Sequence, residues 1–265
     1  MTFCRTVETK YGPMMVNEHD RYMAQSLIAY GVYSPGELRF YEQLLTEGCV
    51  VIEAGASFGV NTVPLAKIVG PRGRVYSFEP QRLFYQMLCG NAALNNLTNV
   101  HAFNVALGST PGTIPVAVLD VEHFNNFGGL DLRREVPEGT DREMVPVMRL
   151  DDIIPEGQPV HLLQLDAEGM EPDILAGAQR VISESRPAIY VEADRPDVIP
   201  VLELWMKDNN YLHVPHFPLL FEPDNWKGNP ENVFGADVAS KNWMCFAAEK
   251  VETEPATPEL ADAAV

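Results

Sequence analysis

The sequence predicts an α/β protein on a doubly wound, mostly parallel sheet. Three observations carry this reading: short strand-like segments alternate with segments of helical spacing, most of the strands are too apolar to be half exposed, and the first runs straight into a glycine turn. That first strand, Val50–Ala54, is apolar and β-branched apart from Glu53, and it leads into Gly55-Ala56-Ser57-Phe58-Gly59. Further strands are expected at Arg74–Phe78, 100–105, 160–165 and Ala188–Glu192. Between them, 61–69, 80–95, 171–184 and 197–209 place Leu, Ile, Met and Ala at helical spacing and supply the crossovers that parallel strands require.

Ahead of this core, Ser34-Pro35-Gly36-Glu37 has the form of a capping box, with proline at the first helical position, so a helix is expected to run to about Leu45. Residues 1–45 read as an N-terminal hairpin and helical cap packed on a domain spanning 46–248. Two last strands fall at 211–214 and 243–247. The segment between them, near 217–240, is too long for a hairpin turn and reads as a substrate loop. Residues 249–265, rich in acids and proline, read as a disordered tail.

Composition narrows the partners. At 265 residues and 46% hydrophobic content, the chain can bury one large core. A formal charge of −18, from 37 acidic against 19 basic residues with no basic stripe, would repel phosphate backbones, so neither nucleic acid nor an anionic membrane is expected as a partner. Cys4, Cys49, Cys89 and Cys245 are far apart, form no C-x-x-C pair and read as reduced thiols. The first residues lack a signal-peptide core and no apolar run is long enough to span a bilayer, so a cytoplasmic protein is expected.

The glycine turn suits a nucleotide-like ligand at a strand's carboxyl end. A dinucleotide fingerprint would need glycine where Ser57 and Val60 stand, which argues against NAD. S-adenosylmethionine has no pyrophosphate; it carries a sulfonium, an α-amino group and a ribose, and it calls for acids rather than a phosphate cradle. Glu79, 24 residues after Gly55 at the end of the next strand, is placed to accept both ribose hydroxyls. Glu53 faces the cofactor's ammonium or caps a backbone turn, and Asn104 with Ala106 forms a wall for adenine or a structural turn. The second constellation, Leu162 to Leu175, releases a buried strand into Asp166, Glu168 and Glu171 around Gly169, so Asp166 would border both cofactor methyl and acceptor. Glu171 is expected to serve the N-terminus of its own helix.

These blocks resemble the FkbM family of S-adenosylmethionine-dependent methyltransferases. The resemblance rests on Glu53-Ala54-Gly55-Ala56-Ser57-Phe58-Gly59 with Asn61-Thr62, on Phe78-Glu79-Pro80, on Asn91 with Asn95, on 104–108, on 166–171, and on Arg186-Pro187 before Val191-Glu192. It implies a Rossmann-like methyltransferase fold whose seven-stranded sheet ends in an antiparallel strand. It also implies methyl transfer to a hydroxyl of a sugar or natural product. Glu53, Ser57 and Gln164 stand where members commonly carry aspartate, asparagine and lysine.

An alcohol acceptor must lose its proton as its oxygen attacks. Asp166 or Glu168 is the expected base, with His216 of the late loop as the competitor. Residues 124–129 and 229–235, with Phe221 and Trp226, are the expected acceptor pocket. Three rivals remain: a divalent metal on Asp166, Glu192 and Asp194, an NAD-dependent oxidoreductase, and a binding protein whose site has decayed.

Overall fold

The computed structural model describes residues 3–251. It opens on a hairpin, β1 (Cys4–Thr9) and β2 (Gly12–Asn17), followed by α1 (Met23–Tyr30) and α2 (Pro35–Leu44). The core then runs β3 (Val50–Ala54), α3 (Thr62–Val69), β4 (Arg74–Phe78), α4 (Arg82–Leu94) and β5 (Val100–Phe103). A side sheet follows, β6 (Ala106–Leu107), β7 (Gly112–Ala117) and β8 (Arg142–Met148). The chain returns through α5 (Leu150–Ile153), β9 (Leu162–Leu165), α6 (Glu171–Ala176), α7 (Gln179–Ser185), β10 (Ala188–Glu192) and α8 (Ile199–Asp208). It closes on β11 (Tyr211–His216), β12 (Asn242–Ala247) and α9 (Ala248–Val251).

The central sheet has seven strands in the order β11-β12-β10-β9-β3-β4-β5. β3 pairs in parallel with both β4 and β9, and β10 with β9, while β12 runs antiparallel to both its neighbours. Every residue of β3 and β9 is buried, as strands covered on both faces require. Alternation sorts the side chains. Ile52, Leu163, Leu165, Ile189 and Val191 enter one apolar layer, and Val51, Leu162 and Tyr190 the other, under α2 and α3. The hairpin buries Met14 and Val16 against Phe58, Phe84 and Met87. Asn91 of α4 fastens it there, accepting from Met15 N at 2.6 Å and donating to the carbonyls of Met15 and Phe58.

Three local expectations are corrected. Ser34 makes no cap bond and sits at φ 42°, and Glu37 turns away from the helix start to accept from Asn242 Nδ2 at 3.0 Å, so the capping-box sequence builds no capping box. The helix expected over 171–184 is two, broken at Gly177, where a Cβ would stand 2.1 Å from the Gly108 carbonyl oxygen; the close approach turns the chain. β5 ends at Phe103 because the Asn104 amide bonds back to the carbonyls of Glu79 and Pro80. Of the segment expected as a tail, 249–251 belong to α9, and 252–265 lie outside the described residues. The side sheet was not foreseen, its strands being short and partly exposed.

Candidate active site

The site begins where β3 ends. Gly55 (φ 85°) and Gly59 (φ 88°) occupy backbone conformations that favour glycine, and Ser57 is left-handed as well, at 48°. The turn is pinned to the next strand, since Gly55 N and Ala56 N both donate to the Phe78 carbonyl at 3.0 Å. On its other side Gly55 lies directly against β9, where an added Cβ would meet the Asp166 carbonyl oxygen at 1.7 Å. The glycine therefore sets how closely the ends of β3 and β9 approach.

Glu79 leaves β4 with each carboxylate oxygen accepting one backbone N–H at 2.7 Å, from Ser57 and from Gln81. Each oxygen keeps a second lone pair for a ligand hydroxyl. Burial raises its carboxyl to about 7 against the pull of those N–H groups. Glu53, completely enclosed and also raised to about 7 by burial, accepts from Thr62 Oγ1 and, at 2.9 Å, from Ser77 Oγ. That places Glu53 and Thr62 beneath the turn, bracing it. Asn61 is buried at the start of α3, and Asn104 holds the Glu79–Pro80 turn from behind.

A cavity of about 50 Å³ opens over these strand ends, lined by Gly55, Glu79, Pro80, Ala106 and Asp166 among others. Gln81 and Gly128 also line it, with Leu130 and Leu132 of the segment before β8. Its charged lining groups are Glu79, Asp166 and Glu168, with no lysine or arginine. Such a wall repels a pyrophosphate and suits a cationic nucleoside, and the free lone pairs of Glu79 match a ribose diol.

The carboxylates after β9 separate by their partners. Glu171 accepts from Ala167 N at 2.9 Å and Gly169 N at 3.1 Å, so it holds the loop through discrete hydrogen bonds. Glu168, at φ 54°, pairs with the Arg195 guanidinium; burial still raises its carboxyl, with Arg195 opposing. Arg195 also reaches Asp131 at 3.1 Å, and Arg133 joins Asp131 to Asp197, which closes an ion network over the loop. Asp166 has no basic partner among the described residues. Burial first, then Glu168 and Glu37, raise its carboxyl well above the ordinary range. Glu192 is pushed up to about 11 by burial and by Asp166, and its Oε2 has no hydrogen-bond partner. Carboxylate oxygens of Asp166, Glu168 and Glu192 lie within 4.8 Å of one another.

His216 stands apart from the cavity lining. Asn242 Nδ2 donates to the Tyr190 hydroxyl oxygen at 3.0 Å, so the Tyr190 proton is directed to His216 Nδ1 at 2.8 Å. The imidazole is an acceptor at Nδ1, and burial lowers its pKa. The two segments expected to grip an acceptor also part company. Gly128 borders the cavity, whereas 229–235 packs on α1, with Val233 N donating to the Tyr30 hydroxyl and Trp226 lying over Gly31. Sequence reasoning missed Gln81 and the pairing of Glu168 with Arg195. The residues of that pair are 27 positions apart, and no local pattern joins them.

A parallel sheet with an antiparallel strand inserted beside its last parallel neighbour, a glycine turn, and an acid at the end of the adjacent strand together define a Rossmann-like methyltransferase. The family model "Methyltransferase FkbM domain" matches residues 53–212, more than half of the chain, and the chain belongs to the FkbM methyltransferase family. It is similar to methyltransferase sdnD of Sordaria araneosa, 26% identical over 223 residues, covering 69% of this chain and 86% of that protein. Its structure is similar to M. jannaschii TYW2 in complex with AdoMet, with a TM-score of 0.51 at 15% identity, covering 93% of this chain and 87% of that one. It is also similar to methyltransferase FkbM from Methylobacillus flagellatus, with a TM-score of 0.48 at 19% identity over 85% of this chain. The match spans about half of that longer protein, 55%.

Proposed function

We propose that this methyltransferase is O-directed and acts on a hydroxyl of a small-molecule or glycan acceptor. The methyl donor is S-adenosylmethionine, which supplies an electrophilic methyl group on a sulfonium. The observation that carries the O-directed reading is Asp166, an unpaired carboxylate on the cavity wall at the strand end beside the glycine turn. Burial makes it a stronger proton acceptor than an ordinary aspartate once ionised, which suits taking the hydroxyl proton as the acceptor oxygen attacks.

The other groups divide the remaining work. Glu79 receives the ribose hydroxyls, Gly55 in the cavity wall lets the ligand approach the backbone, Ala56 holds the turn to Phe78 beneath it, and Pro80 and Ala106 wall the base. Glu168, neutralised by Arg195, shapes the acceptor side as a positioning group rather than as the base. Much of the rate then comes from holding the acceptor oxygen in line with the methyl and the departing sulfur. An acidic chain disfavours nucleic-acid acceptors, and four free thiols fit the reducing cytoplasm. Among the described residues, no helix is long and apolar enough to cross a membrane.

Asp166→Asn tests the base. Turnover of a hydroxylated acceptor is expected to fall ~100-fold or more, with S-adenosylhomocysteine affinity nearly intact; equal loss of both would remove Asp166 from the chemistry. A second reading is favoured by the cluster of Asp166, Glu168 and Glu192, which could hold a divalent cation that binds the acceptor oxygen. Turnover abolished by a chelator and restored by Mg²⁺ would select it.

A further inference from the structure

We infer that Glu37, carried in by the N-terminal cap, binds the α-ammonium group of S-adenosylmethionine together with the side-chain amide oxygen of Asn61. The inference rests on the cofactor reading above and adds a residue that lies outside the matched family segment. Glu37 is in the first turn of α2 and only 4% exposed. Its carboxylate accepts from Asn242 Nδ2 at 3.0 Å, and the polar side chains of Ser240, Ser34 and Asn61 stand near enough to oppose the rise that burial gives its pKa. It has no ion pair with any described lysine, arginine or histidine. A buried carboxylate without a counter-charge is costly to keep ionised, so it is protonated or meets a cation.

The charged and titratable groups around it supply no cation. Tyr33 and Tyr41 stand on the cap with Asp20 before α1, Glu53 on β3, Asp166 beyond β9, and Tyr190 on β10. His216 of β11 is reached only through Tyr190, as the neutral acceptor described above. Arg39, the one cation of α2, turns outward to Glu222 at 2.6 Å. Glu37, Glu53 and Asp166 all raise the Tyr41 hydroxyl, and Glu37 raises Asp166, so these acids lie close enough to act on one another, and Asp166 among them lines the cavity.

An independent observation points to a missing donor. Asn61 Oδ1 is buried and accepts no hydrogen bond, and the Asn61 side chain stands near the Glu37 carboxylate. Asn61 follows Gly59 by two residues, so it lies just past the glycine turn. Gln164 Oε1, in register between Glu53 and Tyr190 on this face, is a further buried acceptor without a donor. An ammonium brings one positive charge and three N–H donors, which is what a lone carboxylate beside unfilled amide oxygens lacks.

The test uses two commercially available ligands, S-adenosylhomocysteine and 5′-methylthioadenosine; the second keeps the adenosine and the thioether but has no amino-acid arm. Calorimetric titrations of wild type and Glu37→Gln, each in buffers of different ionisation heat, give affinity and proton release together. Glu37 is raised to about 7, so binding the ammonium at pH 7 is expected to release about half a proton from it in wild type, in addition to any from neighbouring acids. Methylthioadenosine should not draw that proton out. Glu37→Gln should weaken S-adenosylhomocysteine by about tenfold to a hundredfold, abolish the extra proton release and leave methylthioadenosine unchanged, which also shows that the variant is folded. If wild type releases the same protons with both ligands, the inference is overturned without any variant. Equal weakening of both ligands in Glu37→Gln, or of neither, overturns it while the cofactor reading stands. Wild type that binds neither ligand overturns both.

Discussion

Gly55→Ala asks how tightly the two halves of the site are keyed together. An added Cβ would lie 1.7 Å from the Asp166 carbonyl oxygen and 2.8 Å from its carbon, both backbone atoms, so no side-chain rotation relieves the contact. The residue would also have to hold φ at 85°, which costs about 1–2 kcal/mol for a residue with a Cβ. Pushing the start of the 166–169 loop away adds about 1–3 kcal/mol of overpacking, for a total of about 2–5 kcal/mol. Gly48 provides the internal control: its φ is 93°, yet an added Cβ there would meet nothing within 4 Å, so Gly48→Ala carries the backbone strain alone. Urea unfolding of the two variants separates strain from collision, and methylthioadenosine titration reports whether the Asp166 side of the cavity has moved. Gly55→Ala should be the less stable by ~1–3 kcal/mol and should bind weakly. If the two variants unfold together and bind alike, the close approach of β3 and β9 does not shape the site.

Glu37, Glu53 and Glu79 are each raised to about 7 by burial, so between pH 4.5 and 7 the folded chain holds protons that the unfolded chain has lost. Their contribution to stability is full below their unfolded pKa and is lost as pH rises through 7, by up to ~1.4 kcal/mol per pH unit for each group; urea unfolding at pH 5 and pH 7.5 should show the ligand-free protein weaker at the higher pH, and a gain there would contradict the burial argument. Glu79→Ala removes the acceptor for the ribose hydroxyls and should cost S-adenosylhomocysteine about tenfold or more in affinity, measured by calorimetry; unchanged affinity would move the ribose elsewhere. Tyr190→Phe deletes the hydroxyl between Asn242 and His216 and should destabilise the chain by ~1–3 kcal/mol in thermal or urea unfolding; a neutral result would mean that the Asn242–Tyr190–His216 chain carries no net stability.

What the sequence determined by itself is the part written in local and periodic signals. Val50–Ala54, Arg74–Phe78 and Ala188–Glu192 are strands over the ranges that their apolar runs mark, because a buried parallel strand requires such a run whatever surrounds it. Gly55 and Gly59 announce the turn, since few other residues adopt those angles, and Glu79 and Asp166 follow as the acids at the ends of neighbouring strands. Tertiary structure decided which partner each polar group meets. Ser34 and Glu37 have the letters of a capping box, yet Asn242, 205 residues away in the chain, competes for the Glu37 carboxylate and takes it. Arg195 claims Glu168, Tyr190 claims His216, and Gly108 breaks the helix at Gly177. Hydrophobic period is a property of neighbours in sequence and survives any packing, whereas hydrogen bonds and ion pairs are short-ranged and selective, so their partners exist only once the chain has closed.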